Sequence, residues 1–276
     1  MPRVVRRERL VPNIHLLEVE APEIARKCRP GQFVIVMPDA RGERVPLTVA
    51  DWDAARGTVT VVFMTVGTST RKLARLSGGD TLPIFAGPLG RPSDTGGAGT
   101  VLCVGGCYGI AAIHPLARAY KEAGRRVVVL VDVKADYLFY WRDRLAAVAD
   151  EVLVSSRDGI YGDCGYVPRQ VREVLARETV ARVVAAGCTY LMSSVAEATR
   201  PAGVPTVVSL NPVMVDGTGM CGACRVTVGG KTRFACVDGP DFDGHLVDWN
   251  ELYARRKAYF DDEIRSVCAW EEETFP

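Results

Sequence analysis

The sequence predicts a three-part fold of the β + α/β class: an antiparallel β-barrel, a parallel-sheet domain, and a small loop domain ending in a helix. Three observations predict it. Short β-branched runs broken by Gly and Pro fill the first third. Apolar strands alternating with helical patterns fill the middle, as βαβ units do. A cysteine- and glycine-rich loop followed by a hairpin pattern opens the last part. The expected boundaries are residues 1–97, 98–210 and 211–276.

In the first part, Ile14–Val19, Gln32–Val36, Val45–Val49 and Thr58–Phe63 read as strands, and Ser69–Leu76 as one short helix. Arg91–Gly97 has linker composition. In the second part, Thr100–Val104, Val127–Val133, Val152–Ser155, Val183–Ala186 and Thr206–Leu210 read as strands. Their continuous apolar character fits burial on both faces. Ile110–Ala123, Tyr137–Val148, Pro168–Ala176 and Tyr190–Thr199 read as the helices between them. In the third part, Arg225–Ala235 reads as a hairpin turning at Gly229-Gly230, and Asp248–Cys268 as a helix that packs on something, a partner chain being one option.

Composition narrows the function classes. A net charge of +1 over 276 residues makes no case for nucleic acid or an acidic membrane surface. No apolar run is long enough to span a bilayer, and the charged start Met1–Glu8 lacks a signal-peptide core. Nine cysteines read as metal ligands and packed thiols in a reducing cytoplasm rather than as a disulfide framework. With three histidines, histidine-based acid–base or metal chemistry is thinly supplied, and no catalytic side chain is assigned.

The most informative run is Asp216-x4-Cys221-x2-Cys224-x11-Cys236. Plant-type [2Fe–2S] sites space their cysteines Cys-x4-Cys-x2-Cys with a distant fourth. The last three positions keep that spacing, and a carboxylate stands at the first. The hairpin explains the long gap, since it leaves Cys224 and returns at Cys236. A zinc knuckle is the plainer alternative, but zinc usually takes two paired hooks and only one is present. Asp216 followed by Gly217 also reads as an ordinary turn.

Two further regions suit a nucleotide. Gly105-Gly106-Cys107-Tyr108-Gly109 follows a strand and opens a helix, where a diphosphate meets free N–H groups, although any tight βα turn wants glycine. Asp132, ending the next strand, stands where an acidic residue meets an adenosine ribose; a solvated strand-end charge is the alternative. In the first part, Arg44 suits a diphosphate, and Gly67-Thr68-Ser69-Thr70 offers donors at a helix start.

Taken together, these residues resemble the ferredoxin–NADP reductase superfamily. Within it, the stretch Ser209–Cys224, continued by Phe234–Gly244, is similar to electron-transfer subunits of dihydroorotate dehydrogenase. It is more similar still to small subunits of NADH-dependent reduced ferredoxin:NADP oxidoreductase, also known as sulfide dehydrogenase. The resemblance implies FAD in the barrel, NAD(H) on the parallel-sheet domain and one [2Fe–2S] cluster held by Asp216, Cys221, Cys224 and Cys236. It implies flavin contacts from Arg44, Pro46, Leu47 and Thr48 and from Gly67, Thr68, Ser69 and Thr70. It implies a heterodimer with a larger flavin/iron–sulfur subunit, through which ferredoxin is served. Two positions depart from the pattern: Arg44 lies four residues before Thr48 rather than three, and Cys107 replaces a glycine. Asp132 favours NADH over NADPH. A redox-sensing or structural iron–sulfur module is the reading from another class.

Overall fold

The computed structural model describes residues 1–158 and 167–274. The chain opens with β1 (Arg3–Val11), β2 (Ile14–Glu20), a short α1 (Pro22–Ala25), β3 (Phe33–Met37), β4 (Val45–Asp53), β5 (Thr58–Met64), α2 (Thr68–Leu73) and β6 (Ile84–Leu89). The strands form one antiparallel sheet in the order β1-β2-β5-β4-β3-β6. A bridge from Arg3 to Thr81, just ahead of β6, brings the two edges towards each other. Alternation places Leu17, Val19, Val34, Val36, Val59, Val61 and Phe63 in one interior core. β1 is absent from the expected strands because its sequence, Arg-Val-Val-Arg-Arg-Glu-Arg-Leu-Val, is mostly charged and only Val4 is buried. It is an edge strand carried by its pairing with β2.

The middle part contains β7 (Thr100–Gly106), α3 (Gly109–Glu122), β8 (Val127–Val133), α4 (Arg142–Val148), β9 (Glu151–Ser156), α5 (Val167–Arg177), β10 (Val180–Ala186), α6 (Thr189–Thr199) and β11 (Thr206–Ser209). β7 to β11 pair in parallel. The expected helix Tyr137–Val148 is instead a 3₁₀ turn, Asp136–Leu138, and α4, separated by Trp141 in the left-handed region (φ 61°). Tertiary contact decides this: Tyr140 is buried, and its hydroxyl is drawn to the end of β7.

The last part holds β12 (Arg225–Val228), β13 (Lys231–Phe234), α7 (Ala235–Asp238), β14 (Asp241–Asp243), α8 (Trp249–Arg256) and α9 (Phe260–Thr274). β12 and β13 form the expected hairpin, with Gly229 and Gly230 both at positive φ. β14 joins the middle sheet antiparallel to β11, so the full order is β14-β11-β10-β7-β8-β9. The expected single C-terminal helix is two. α9 packs on α2 of the same chain, through Arg71–Glu271 at 2.5 Å and Arg75 over the Trp270 ring at 4.7 Å. Among the described residues, no helix is long and apolar enough to cross a membrane.

Three shared cores lock the parts together. The α3 side of the middle sheet packs with Ile14, Leu16, Ala50 and Val62 of the barrel. The α5–α6 side packs with Val226, Val247 and Leu252. Phe33 and Ile35 of the barrel share a third core with Met214, Cys224, Ala235 and Cys236.

Candidate functional site

The expected cluster ligands lie on the segment from the end of β11 to α7, as two pairs. Cys224 and Cys236 are buried with their sulfurs 3.2 Å apart, because the hairpin returns the chain and Ala235 N–H bonds the Cys224 carbonyl. Asp216 and Cys221 form a second, exposed pair: the Asp216 carboxylate accepts the N–H of Cys221 and of Thr218, each at 2.9 Å. Those bonds, the Thr218 one foremost, hold its pKa below the ordinary range. Burial, then the neighbouring Cys224 thiol and the Asp216 charge, pushes the Cys236 thiol up to about 12. The Cys236 thiol therefore keeps its proton unless a cation takes the charge.

Among the described residues, no three His, Cys, Asp or Glu side chains converge as a ligand set for a single metal ion. The donors stand instead as two adjacent pairs, an arrangement suited to two irons bridged by sulfide rather than to one tetrahedral ion. His245 does not complete a zinc set, since its Nε2 is bonded to Thr199 Oγ1 at 2.9 Å. Gly217, at φ 75°, has a close-approach role: a Cβ there would meet Ile35 at 2.8 Å and Leu89 at 2.9 Å. The ligand loop therefore lies directly against barrel strands β3 and β6.

The glycine-rich loop lies at the carboxyl end of β7. There the strand order passes from β8 on one side to β10 on the other, the switch point where open α/β sheets bind ligands. Gly105 and Gly106 end the strand, Cys107 takes φ 53°, and Gly109 starts α3. Gly109 is required by packing, because a Cβ there would lie 2.1 Å from the Ala186 carbonyl oxygen. Gly106 borders the Asp132 backbone and side chain. Burial raises the pKa of Asp132, opposed by Arg157, whose Nη2 is 3.5 Å from the carboxylate. Burial likewise raises Cys107, with Cys188 and Asp132 nearby. Cys188 lies one residue beyond Gly187, past the end of β10, and its sulfur caps α6 by accepting the Leu191 N–H.

Residues the sequence reading missed hold this loop. The Tyr140 hydroxyl donates to the Cys107 carbonyl at 2.9 Å and accepts the Ala111 N–H at 3.2 Å. The Tyr108 hydroxyl donates to the Gly187 carbonyl at 2.9 Å and accepts from Asn211 Nδ2, which also donates to Gly187 at 3.1 Å. Arg256 of α8 reaches Thr189 Oγ1 at 3.1 Å and the Asn211 carbonyl at 3.4 Å. Tyr108 could have been flagged by its place inside the loop; Asn211, Tyr140 and Arg256 carry no local signal.

On the barrel, Arg44 is exposed just ahead of β4. The next-door Glu43 N–H bonds Ser69 Oγ at 2.9 Å, so Arg44 and the Gly67–Thr70 turn are neighbours. A cation beside such a turn fits a diphosphate. The hydroxyls mostly serve the turn itself: Thr70 Oγ1 accepts the N–H groups of Val66 and Gly67, and Thr68 Oγ1 meets Ser266 Oγ at 2.8 Å. Leu47 is buried in the barrel core, while Pro46 and Thr48 are half-buried on the same strand.

A barrel joined to a parallel sheet with a switch-point glycine loop, carrying a cysteine-rich arm, defines a ferredoxin reductase-like flavin and iron–sulfur protein. Residues 211–248 match the family described as the iron–sulfur cluster binding domain of dihydroorotate dehydrogenase B. The chain is 40% identical to a dihydroorotate dehydrogenase B (NAD(+)) electron transfer subunit homolog from Thermotoga maritima, over 94% of this chain and 92% of that one. It is 29% identical to the corresponding electron transfer subunit from Enterococcus faecalis, over 90% and 97%. It also superposes on a chain of the solved NADH-dependent reduced ferredoxin–NADP oxidoreductase, with TM-score 0.89, 38% identity and 98% of each chain covered. The chain belongs to the family of dihydroorotate dehydrogenase B electron transfer subunits and their homologs.

Proposed function

We infer that this chain is the electron-transfer subunit of a flavin- and iron–sulfur-dependent oxidoreductase that uses FAD, one [2Fe–2S] cluster and NAD(H). When bound, the flavin exchanges hydride with NAD(H) and the cluster carries electrons singly. The protein binds and positions these groups. The observation that carries the reading is the pairing of Cys224 with Cys236 and of Asp216 with Cys221, on a loop packed against the barrel through Ile35 and Leu89. We propose that each pair holds one iron. We propose further that residues 1–97, with Arg44, Pro46–Thr48 and Gly67–Thr70, serve the flavin, and that residues 98–210, with Gly105–Cys107, Gly109 and Asp132, serve NAD(H). Residues 211–276 then serve the cluster.

A larger partner subunit completes the enzyme, since a one-electron centre needs an acceptor. We propose that it docks over the cluster loop, where Val215, Met220 and Val237 expose apolar side chains, with Met220 88% exposed. We propose a reduced ferredoxin:NADP oxidoreductase, working in the cytoplasm, over the dihydroorotate enzyme. The match to a chain of the reduced ferredoxin–NADP oxidoreductase, over 98% of each chain at a TM-score of 0.89, supports this choice. Anaerobically purified protein is expected to contain about two irons and two sulfides per chain and a flavin bleached by NADH. Stoichiometric zinc with no flavin would falsify the reading. Asp216→Cys is expected to keep the cluster and shift its potential, and Asp216→Ala to weaken it; an unchanged spectrum and potential in Asp216→Ala would reduce Asp216 to a turn residue.

A further inference from the structure

The two loops that meet at the switch point each carry an exposed cysteine. Among the described cysteines outside the proposed cluster set, Cys28 and Cys103 are buried, and Cys107, Cys188 and Cys268 are exposed. Cys107 directly follows β7 and Cys188 lies just past β10, and these strands pair in parallel with Gly105 opposite Ala186. The same register carried two residues on sets Cys107 opposite Cys188. The two chains stay in contact that far. A Cβ at Gly187 would lie 2.9 Å from the Gly106 carbonyl oxygen, and one at Gly109 would lie 2.7 Å from the Gly187 Cα. The Tyr108 hydroxyl donates to the Gly187 carbonyl at 2.9 Å. Cys107 is thus bracketed by residues that touch Gly187, the neighbour of Cys188. Burial first, and then the Cys188 thiol, raise the pKa of Cys107.

Adjacent strands run about 4.8 Å apart, inside the roughly 4.4–6.8 Å between Cα atoms that a disulfide spans. The surroundings give the two sulfurs different parts. The Cys188 sulfur stands at the start of α6 and accepts the Leu191 N–H at 3.4 Å, and a helix start favours a sulfur that attacks. Cys107 takes φ 53°, a region that favours glycine, so the turn itself does not call for cysteine.

We propose that Cys107 and Cys188 form a redox-modification site: a hydroperoxide joins them as a disulfide that ties the ends of β7 and β10 together and shuts the switch-point loop to NAD(H), and a dithiol reopens it. The Cys188 sulfur attacks the hydroperoxide, the O–O bond breaks, an alcohol leaves with the proton, and a sulfenic acid remains on Cys188. The Cys107 sulfur then attacks that sulfur. The S–S bond forms, the S–O bond breaks, and water leaves with the Cys107 proton. The two thiols lose two electrons and the peroxide gains them. The pair stands on the geometry alone, whereas its effect on NAD(H) rests on the function proposed above.

The test uses the full chain with its cofactors, reduced with dithiothreitol, desalted and then treated with a small excess of cumene hydroperoxide. Unreduced peptides are mapped by mass spectrometry, NAD+ affinity is measured by calorimetry, and iron is counted on the same samples to separate cluster loss from the link. The peptides carrying Cys107 and Cys188 are expected to appear joined, two hydrogens lighter than their sum. NAD+ affinity should fall at least tenfold, and dithiothreitol should reverse both changes. Cys107→Gly, which suits the positive φ, and Cys188→Ser should each form no such link, and peroxide should leave the NAD+ affinity of each variant where it was. Absence of the link, a link from either cysteine to another one, sulfinic acid on Cys188 without a link, or a link that leaves NAD+ affinity unchanged overturns the proposal. Failure of the reduced wild type to bind NAD+ counts instead against the nucleotide reading, and the peptide map still decides the pair.

Discussion

The cluster loop and the glycine-rich loop are both short, both rich in glycine and both placed at strand ends, yet they are held in opposite ways. The proposed cluster donors come from one stretch, Asp216 to Cys236, folded by its own hairpin and its own backbone bonds. The glycine-rich loop is fixed from outside, by Tyr140 after β8, by Gly187 after β10 and by Asn211 after β11. A metal site written as spaced donors is local. A nucleotide site at a sheet switch point is an assembly of distant segments.

The sharpest way to break this comparison is at the donors. Cys236→Ser is expected to abolish the cluster absorbance and iron content, while near-stoichiometric NADH binding survives. Loss of both together would mean that the two sites do not fold independently.

The next effect lies at the junction. Asp241 joins the barrel linker to the cluster arm, with Ser93 Oγ donating to it at 2.5 Å. Burial raises its pKa from 3.8 to about 6. Its folded pKa lies above its unfolded one, so its contribution is full below about pH 4 and is lost as pH rises through about 6. At about 1.4 kcal/mol per unit, the loss is about 3 kcal/mol. Asp241→Asn should flatten that dependence and leave the protein relatively more stable at pH 8 than at pH 5. Parallel melting curves for wild type and variant across this range would remove Asp241 from the account.

Tyr140→Phe tests the outside support. Its hydroxyl serves two backbone groups at the glycine loop, the Ala111 N–H being buried, and leaving a buried group unpaired costs about 1–3 kcal/mol. We expect a KM for NADH raised roughly tenfold or more, the equivalent of about 1.4 kcal/mol, with iron content unchanged. An unchanged KM would show that the loop holds itself.

The smallest expected effect is on nucleotide choice. With Asp132 proposed to accept from a ribose hydroxyl and to repel a 2′-phosphate, Asp132→Ala should narrow a preference for NADH by several-fold, within about 1 kcal/mol. Arg157, 3.5 Å from that carboxylate, works against it. Stopped-flow flavin bleaching with both nucleotides decides the matter, and faster bleaching by NADPH in the wild type would reverse the assignment.

Much of the architecture was legible. The strands around Val34, Val61, Val129 and Val184 are apolar wherever the sheets bury them, and the hairpin at Gly229-Gly230 announces its own turn. β1 and β14 were not legible, because their pairing comes from β2 and β11 rather than from their own composition. The broken helix before Val148 was missed for the same kind of reason, since burial of Tyr140 overrides local propensity.

By itself the sequence determined the order of the three parts and the spacing of the proposed cluster donors, because periodicity and short-range spacing are properties of neighbouring residues. Only the tertiary structure decided that Cys224 and Cys236 share a core with Phe33 and Ile35, that Asn211 and Tyr140 clamp the glycine loop, and that α9 returns to α2. Those contacts join residues far apart in the chain, and their free energy comes from burial and hydrogen-bond satisfaction that no local pattern records.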